Sequence, residues 1–132
     1  MSIRIVRLGT PRHSDEGVRI GTVRRPPRGV QKTRYAADNW FDVWLPNLAP
    51  SQTLLSFAHT GKIATDRKAW ARFAAKYQSE MKDPEKSRLL DLLAALSHTS
   101  NFSVGCYCED ERSCHRRLLR GLLEKRGAEI VE

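Results

Sequence analysis

No apolar run in this sequence approaches the ~20 residues that a membrane-spanning helix needs, which excludes a helical membrane protein and any partnership with a bilayer through such a segment. Internal repeats and low-complexity tracts are missing too, so solenoid and compositionally biased architectures are set aside. Cysteine is scarce: there are three, all between residues 106 and 114. An odd number crowded into so short a window does not form the spread disulfide framework of a small secreted domain, and free thiols or metal ligands are the alternatives. The opening stretch "MSIRIVRLGT" carries basic residues with no continuous apolar run behind them and does not read as a secretory signal. The expectation is a cytosolic protein with reduced thiols.

Acids are sparse at the beginning. Residues 1 to 34 hold nine Lys or Arg against Asp15 and Glu16, a local balance of +7 within a formal net charge of +8. A basic region this concentrated favours phosphate-bearing partners through long-range attraction. At 132 residues, 40% of them hydrophobic, the chain has the size and composition of one soluble domain, expected to span 1–132.

Residues 3–8, "IRIVRL", and 18–24, "VRIGTVR", alternate apolar and basic side chains as half-buried strands with one wet face do. The stretch "GTPRHSDEG" between them is turn-rich, and "RPPRGVQKTR" after them is a loop because Pro26, Pro27 and Gly29 cannot continue a ladder. The aromatic segment 40–48 ends at Pro46, and Ser51 caps a short helix. Trp70, Phe73, Ala74, Tyr77 and Met81 recur at helical spacing between 66 and 81. Asp83 and Pro84 start another helix, with Leu89, Leu92, Leu93 and Leu96 on its stripe. Residues 101–108 read as a buried strand, the leucines at 118, 119, 122 and 123 as a helix that Gly127 ends, and "AEIV" as a last strand. The sum is an α/β fold with a small sheet, at least partly parallel, flanked by helices.

Chemistry concentrates in "VGCYCEDERSCHRRLL", residues 104–119, at a strand-to-helix junction. In parallel sheets ligands sit beyond the carboxyl ends of the strands, where helix N-termini point their free N–H groups. One reading is an anion site, with Ser113 as helix cap and Arg116 and Arg28 supplying charge. The competing reading has Glu109, Asp110 and Glu111 satisfying the helix end themselves, paired to arginines. A Cys-x5-Arg spacing from Cys106 to Arg112 imitates a cysteine phosphatase loop, but three acids and no glycine make it a poor dianion cradle. Cys106, Cys108, Cys114 and His115 form a Cys3His set suited to zinc, although Cys-x-Cys on a strand and adjacent Cys-His at a helix start require unusual local folding. Cys114 beside His115 and Arg116 also has the surroundings of a reactive thiol, with Cys108 able to resolve an oxidised Cys114. His13, His59 and His98 read as surface or capping residues, and Trp40, Trp44 and Trp70 as packing residues.

Ordered motifs carry a family resemblance. "PPRGVQK", then "WLPNLAPS", then Trp70, Phe73, Tyr77, Glu80 and Met81, and finally "C.....CHR" at Cys108, Cys114, His115 and Arg116 resemble the YeaO-like proteins of the family called domain of unknown function 488. The resemblance covers most of the chain after residue 17. It implies a compact α/β domain and brings no settled activity. By motif position it adds Arg24 and the Pro27-Arg28-Gly29 turn to the site. The sequence departs from the family pattern at Val23, Pro26 and Pro46, where Asp, Trp and Lys are common.

The functional expectation is a pocket of Arg24, Arg28, Gly29, Cys108, Ser113, Cys114, His115 and Arg116 that binds a phosphate-bearing small molecule or a nucleic-acid end. Two other classes stay open: a thiol-dependent enzyme or redox protein with Cys114 as nucleophile and His115 as base, and a metal-binding or purely structural protein. No cofactor is named, no residue is assigned to a metal, and oligomeric state is not read.

Overall fold

The computed structural model describes residues 1–131. Five strands, β1 (Ile3–Arg7), β2 (Val18–Gly21), β3 (Val43–Trp44), β4 (Phe102–Cys106) and β5 (Ile130–Val131), form one sheet in the order β3-β2-β4-β1-β5. All four neighbouring pairs are parallel. Four helices accompany it: α1 (Gln52–Thr60), α2 (Arg67–Glu80), α3 (Pro84–Leu96) and α4 (His115–Lys125). Among the described residues, no helix is long and apolar enough to cross a membrane. The α/β expectation holds, and the sheet expected to be at least partly parallel is parallel at every pairing.

Helix boundaries follow the capping chemistry. Ser51, Asp66 and Asp83 each accept hydrogen bonds from the first free N–H groups of α1, α2 and α3, and Pro84 occupies a first-turn position that needs no donor. One sheet face meets the helices: Ile3, Phe102 and Val104 pack with Phe73, Tyr77, Leu90, Leu93, Leu119 and Leu123.

The other face differs from the wet surface that strand alternation predicts. Arg19, read as solvent-facing, is wholly buried. Its Nε and Nη2 donate to the Glu16 carboxylate at 2.6 and 2.9 Å, and its Nη1 donates to the Thr10 and Asn39 carbonyls, both at 2.8 Å. Ser103, on β4, donates to the same carboxylate at 2.7 Å. Parallel strands usually need a crossover of a dozen residues or more, commonly helical. Here the connection between β1 and β2 crosses β4 without a helix, and the buried ion pair pins it there. Close approach also requires glycines paired across the strands, Gly21 and Gly105: a Cβ on Gly21 would collide with the Phe41 ring, and one on Gly105 would sit 2.5 Å from the Val6 carbonyl oxygen.

Several ends move from their expected places. β2 stops at Gly21 rather than residue 24, and β4 stops at Cys106, releasing Tyr107 and Cys108 from the ladder. β3 lies in the aromatic segment, where the sequence pattern predicts no strand.

Candidate functional site

Leu8 after β1, Val23 after β2 and Cys106 at the end of β4 all reach the carboxyl edge of the sheet, where a cleft of about 900 Å³ opens. Arg7, Arg24, Arg25 and Arg28 line it, with Trp40, Tyr107 and His59, while Cys106, Cys108 and His115 contribute sulfur and imidazole. Trp40 and Tyr107 meet edge to face with centroids 5.9 Å apart. Tyr107 donates its hydroxyl to the Arg25 carbonyl at 2.9 Å, which ties the loop after β4 to the loop after β2.

The cleft's arginines are not equivalent. Arg24 donates to the carbonyls of Pro50 and Ala49 at 3.0 and 3.1 Å, so its guanidinium is held in place by the segment leading into α1. Arg25 and Arg28 reach solvent more freely, and Gly29 beside Arg28 adopts a positive φ of 73° that turns the chain at the rim.

Beneath the arginines lies the sulfur cluster. Seven residues separate Cys106 at the end of β4 from Cys114 at the N-cap of α4, and a 3-10 turn at Glu111–Ser113 doubles the chain back. The Cys106 and Cys114 sulfurs consequently lie 2.7 Å apart, both buried. His115 Nδ1 is 3.7 Å from the Cys114 sulfur, and His115 Nε2 is 2.8 Å from the Thr22 carbonyl. A carbonyl only accepts, so Nε2 carries the proton of that bond. Burial pushes the imidazole down to about 4, against the pull of the Thr22 carbonyl, leaving a neutral ring whose Nδ1 lone pair faces sulfur.

The three thiols are not alike. Hydrogen bonds to the sulfurs of Cys108 and Cys114, reinforced by burial, push Cys106 up strongly. Cys108 is pulled down by those same interactions from Cys106 and Cys114 and by the neighbouring positive charge of Arg116, against burial. At Cys114 the bond from Cys106 pulls down, but Cys108 and burial outweigh it and carry the thiol up to about 11. Cys108 is the exposed thiol of the three, while Cys114, the residue that sequence singled out as nucleophile, is buried beside Cys106.

Arg116 lies buried beside the cluster, donating from Nη2 to the Cys108 carbonyl at 2.6 Å. Its Nε is buried without a hydrogen-bond partner among the described residues. The acids of the loop turn elsewhere: Glu109 toward Arg7 at 3.6 Å, Asp110 to Arg112 at 3.2 Å and Glu111 to Arg120 at 2.7 Å. Ser113 does not cap α4, since Cys114 holds that position, and it lines a separate hollow with Trp70, Arg112 and Arg117.

The structure thus brings together Arg24, Arg28, Cys108, Cys114, His115 and Arg116, with Gly29 at the rim and Ser113 apart. Sequence reasoning missed Arg7, Trp40, Tyr107 and Thr22. Arg7 was findable as the last residue of a strand whose carboxyl end faces the site. Trp40 and Thr22 depend on how the loops after β1 and β2 fold, for which the sequence holds no local signal.

Fold and site define an α/β protein with a thiol-imidazole cluster under a basic cleft at the carboxyl edge of a parallel sheet. The family model described as "Active DUF488-N3 subclade" matches residues 3–127, and the chain belongs to this branch of the family called domain of unknown function 488. Comparisons with curated proteins and with solved structures gave no match.

Proposed function

We propose that the cleft binds a phosphate-bearing ligand, a nucleotide or a nucleic-acid end. The observation that carries this reading is the convergence of Arg7, Arg24, Arg25 and Arg28 with Trp40 and Tyr107 on one cleft at the carboxyl edge of the sheet. Guanidinium groups match phosphate oxygens with paired N–H donors, and indole and phenol rings offer faces to a base. Asp110 and Glu111 are engaged by Arg112 and Arg120, and the exposed Glu109 pairs with Arg7 at 3.6 Å, which leaves Arg24, Arg25 and Arg28 as the cleft arginines with no carboxylate partner among the described residues. The word "active" in the family description belongs to that subclade as a whole; for this chain it accords with a working site at the cleft. Three unpaired thiols belong with a reducing, cytoplasmic setting.

Titration calorimetry with nucleoside mono- and diphosphates and a 5′-phosphorylated oligonucleotide, each against its phosphate-free counterpart, tests this. The phosphorylated forms should bind selectively, and Arg28→Ala should weaken them about tenfold, as expected for removal of one charge-assisted hydrogen bond. Equal affinity for phosphorylated and phosphate-free ligands would overturn the reading.

A further inference from the structure

The sulfur cluster has a geometry that phosphate binding does not require. The donor atoms of Cys106, Cys114 and His115 all lie within 4.8 Å of one another, and Cys108, two residues after Cys106 and exposed, lines the same cleft. In tetrahedral zinc sites, bonds of about 2.3 Å to sulfur and 2.0–2.1 Å to nitrogen place sulfurs about 3.8 Å apart and sulfur about 3.5 Å from nitrogen. The 3.7 Å from Cys114 Sγ to His115 Nδ1 already has this spacing, and the 2.7 Å between the Cys106 and Cys114 sulfurs opens to it by about 1 Å. The imidazole is oriented as metal-bound histidines are, one nitrogen donating to a backbone carbonyl and the other bare toward the sulfurs.

Arg116 provides a second, independent observation. A buried guanidinium needs a negative partner, because an uncompensated charge away from water is costly. Arg116 is 4% exposed, and its Nη2 donates to a neutral carbonyl. Glu111, whose charge also reaches it, is held by Arg120. Neutral thiols leave Arg116 without a close anion; thiolates held by a cation supply one.

We propose that Cys106, Cys108 and Cys114 through their sulfurs and His115 through Nδ1 hold one thiophilic divalent cation of the zinc class at the floor of the cleft. Binding replaces three thiol protons, released to solvent, with four metal bonds. Three thiolates and a dication leave a net charge of −1, which Arg116 balances. The unusual ligand spacing is accommodated because the 3-10 turn at Glu111–Ser113 returns the chain onto the strand end it has just left. This site stands independently of the phosphate reading.

The experiment is a Co²⁺ titration of the reduced, chelator-treated protein, with no phosphate ligand present, followed by displacement with Zn²⁺. One equivalent should produce a thiolate-to-cobalt charge-transfer band and the intense visible bands of tetrahedral cobalt, and Zn²⁺ should abolish both. Zinc-loaded protein should resist alkylation at all three cysteines, whereas the apoprotein should react at exposed Cys108. Cys108→Ser, an exposed replacement that leaves the core intact, should lose one thiolate's share of the charge-transfer intensity and bind Zn²⁺ at least tenfold more weakly against a competing chelator. Arg116→Gln should weaken Zn²⁺ by about 10- to 100-fold. A spectrum that stays that of aqueous cobalt, or a Cys108→Ser protein with undiminished intensity and affinity, would overturn the proposed ligand set.

Discussion

At the scale of single residues, the costliest commitment outside the cleft is the buried pair of Glu16 and Arg19. Burial raises the Glu16 carboxyl, but hydrogen bonds from Arg19 and Ser103 outweigh it and hold the group down at about 2, against an ordinary 4.5. A carboxyl depressed on folding stabilises fully above its ordinary pKa and loses that contribution as the pH falls toward the folded value. Stability from this pair is therefore complete above about pH 4.5 and declines between there and pH 2. Glu16→Gln leaves Arg19 buried without its anion and should cost about 3–5 kcal/mol near neutrality. Urea denaturation at pH 7 and at pH 3 checks both claims: the gap between wild type and variant should be large at the first pH and narrower at the second. A gap that did not change with pH would mean that Glu16 is not the group titrating. No local signal marked this pair, since a basic residue alternating with apolar ones reads as solvated until the connection that covers it is known.

At the scale of elements, what was legible is what chain-local chemistry specifies. The stripe of Trp70, Phe73 and Tyr77 delivers α2, to which the structure adds a cap at Asp66, and Asp83-Pro84 delivers the start of α3. Asp66 accepts from the N–H groups of Lys68 and Ala69 at 2.9 and 3.3 Å, so Asp66→Ala should cost about 1 kcal/mol in thermal or urea unfolding and leave ligand binding unchanged. β3 was not legible, because two residues, Val43 and Trp44, become a strand only through pairing with Ile20 and Gly21. The close sheet contact at Gly105 was equally hidden. Gly105→Ala places a methyl 2.5 Å from the Val6 carbonyl oxygen, a backbone atom with no rotamer to yield, and should cost about 1–3 kcal/mol. Because β4 ends one residue later at Cys106, the same variant should also shift that sulfur relative to Cys114 and weaken Co²⁺ in the spectroscopic titration.

At the scale of the whole molecule, the charge asymmetry visible in the sequence becomes a directed field only after folding. Several arginines of the first 34 residues are spent on partners: Arg4 on Asp15, Arg12 on Asp42, Arg19 on Glu16 and Arg34 on Asp38. Arg24, Arg25 and Arg28 instead come to one cleft, because the loop after β2 opens at the carboxyl edge. The net charge of +8 thus overstates the basic surface in general and understates how strongly it is focused. The salt dependence of binding separates these two descriptions. If phosphates dock on Arg25 and Arg28, replacing both by Ala should lower the slope of log K against log[salt] for a 5′-phosphorylated single strand by about 0.7 for each phosphate no longer neutralised. Replacing Arg4 and Arg34, whose charges are already met by Asp15 and Asp38, should leave that slope nearly unchanged. Equal reductions from the two pairs would mean that the chain binds by diffuse attraction to its overall charge, with the cleft playing no special part.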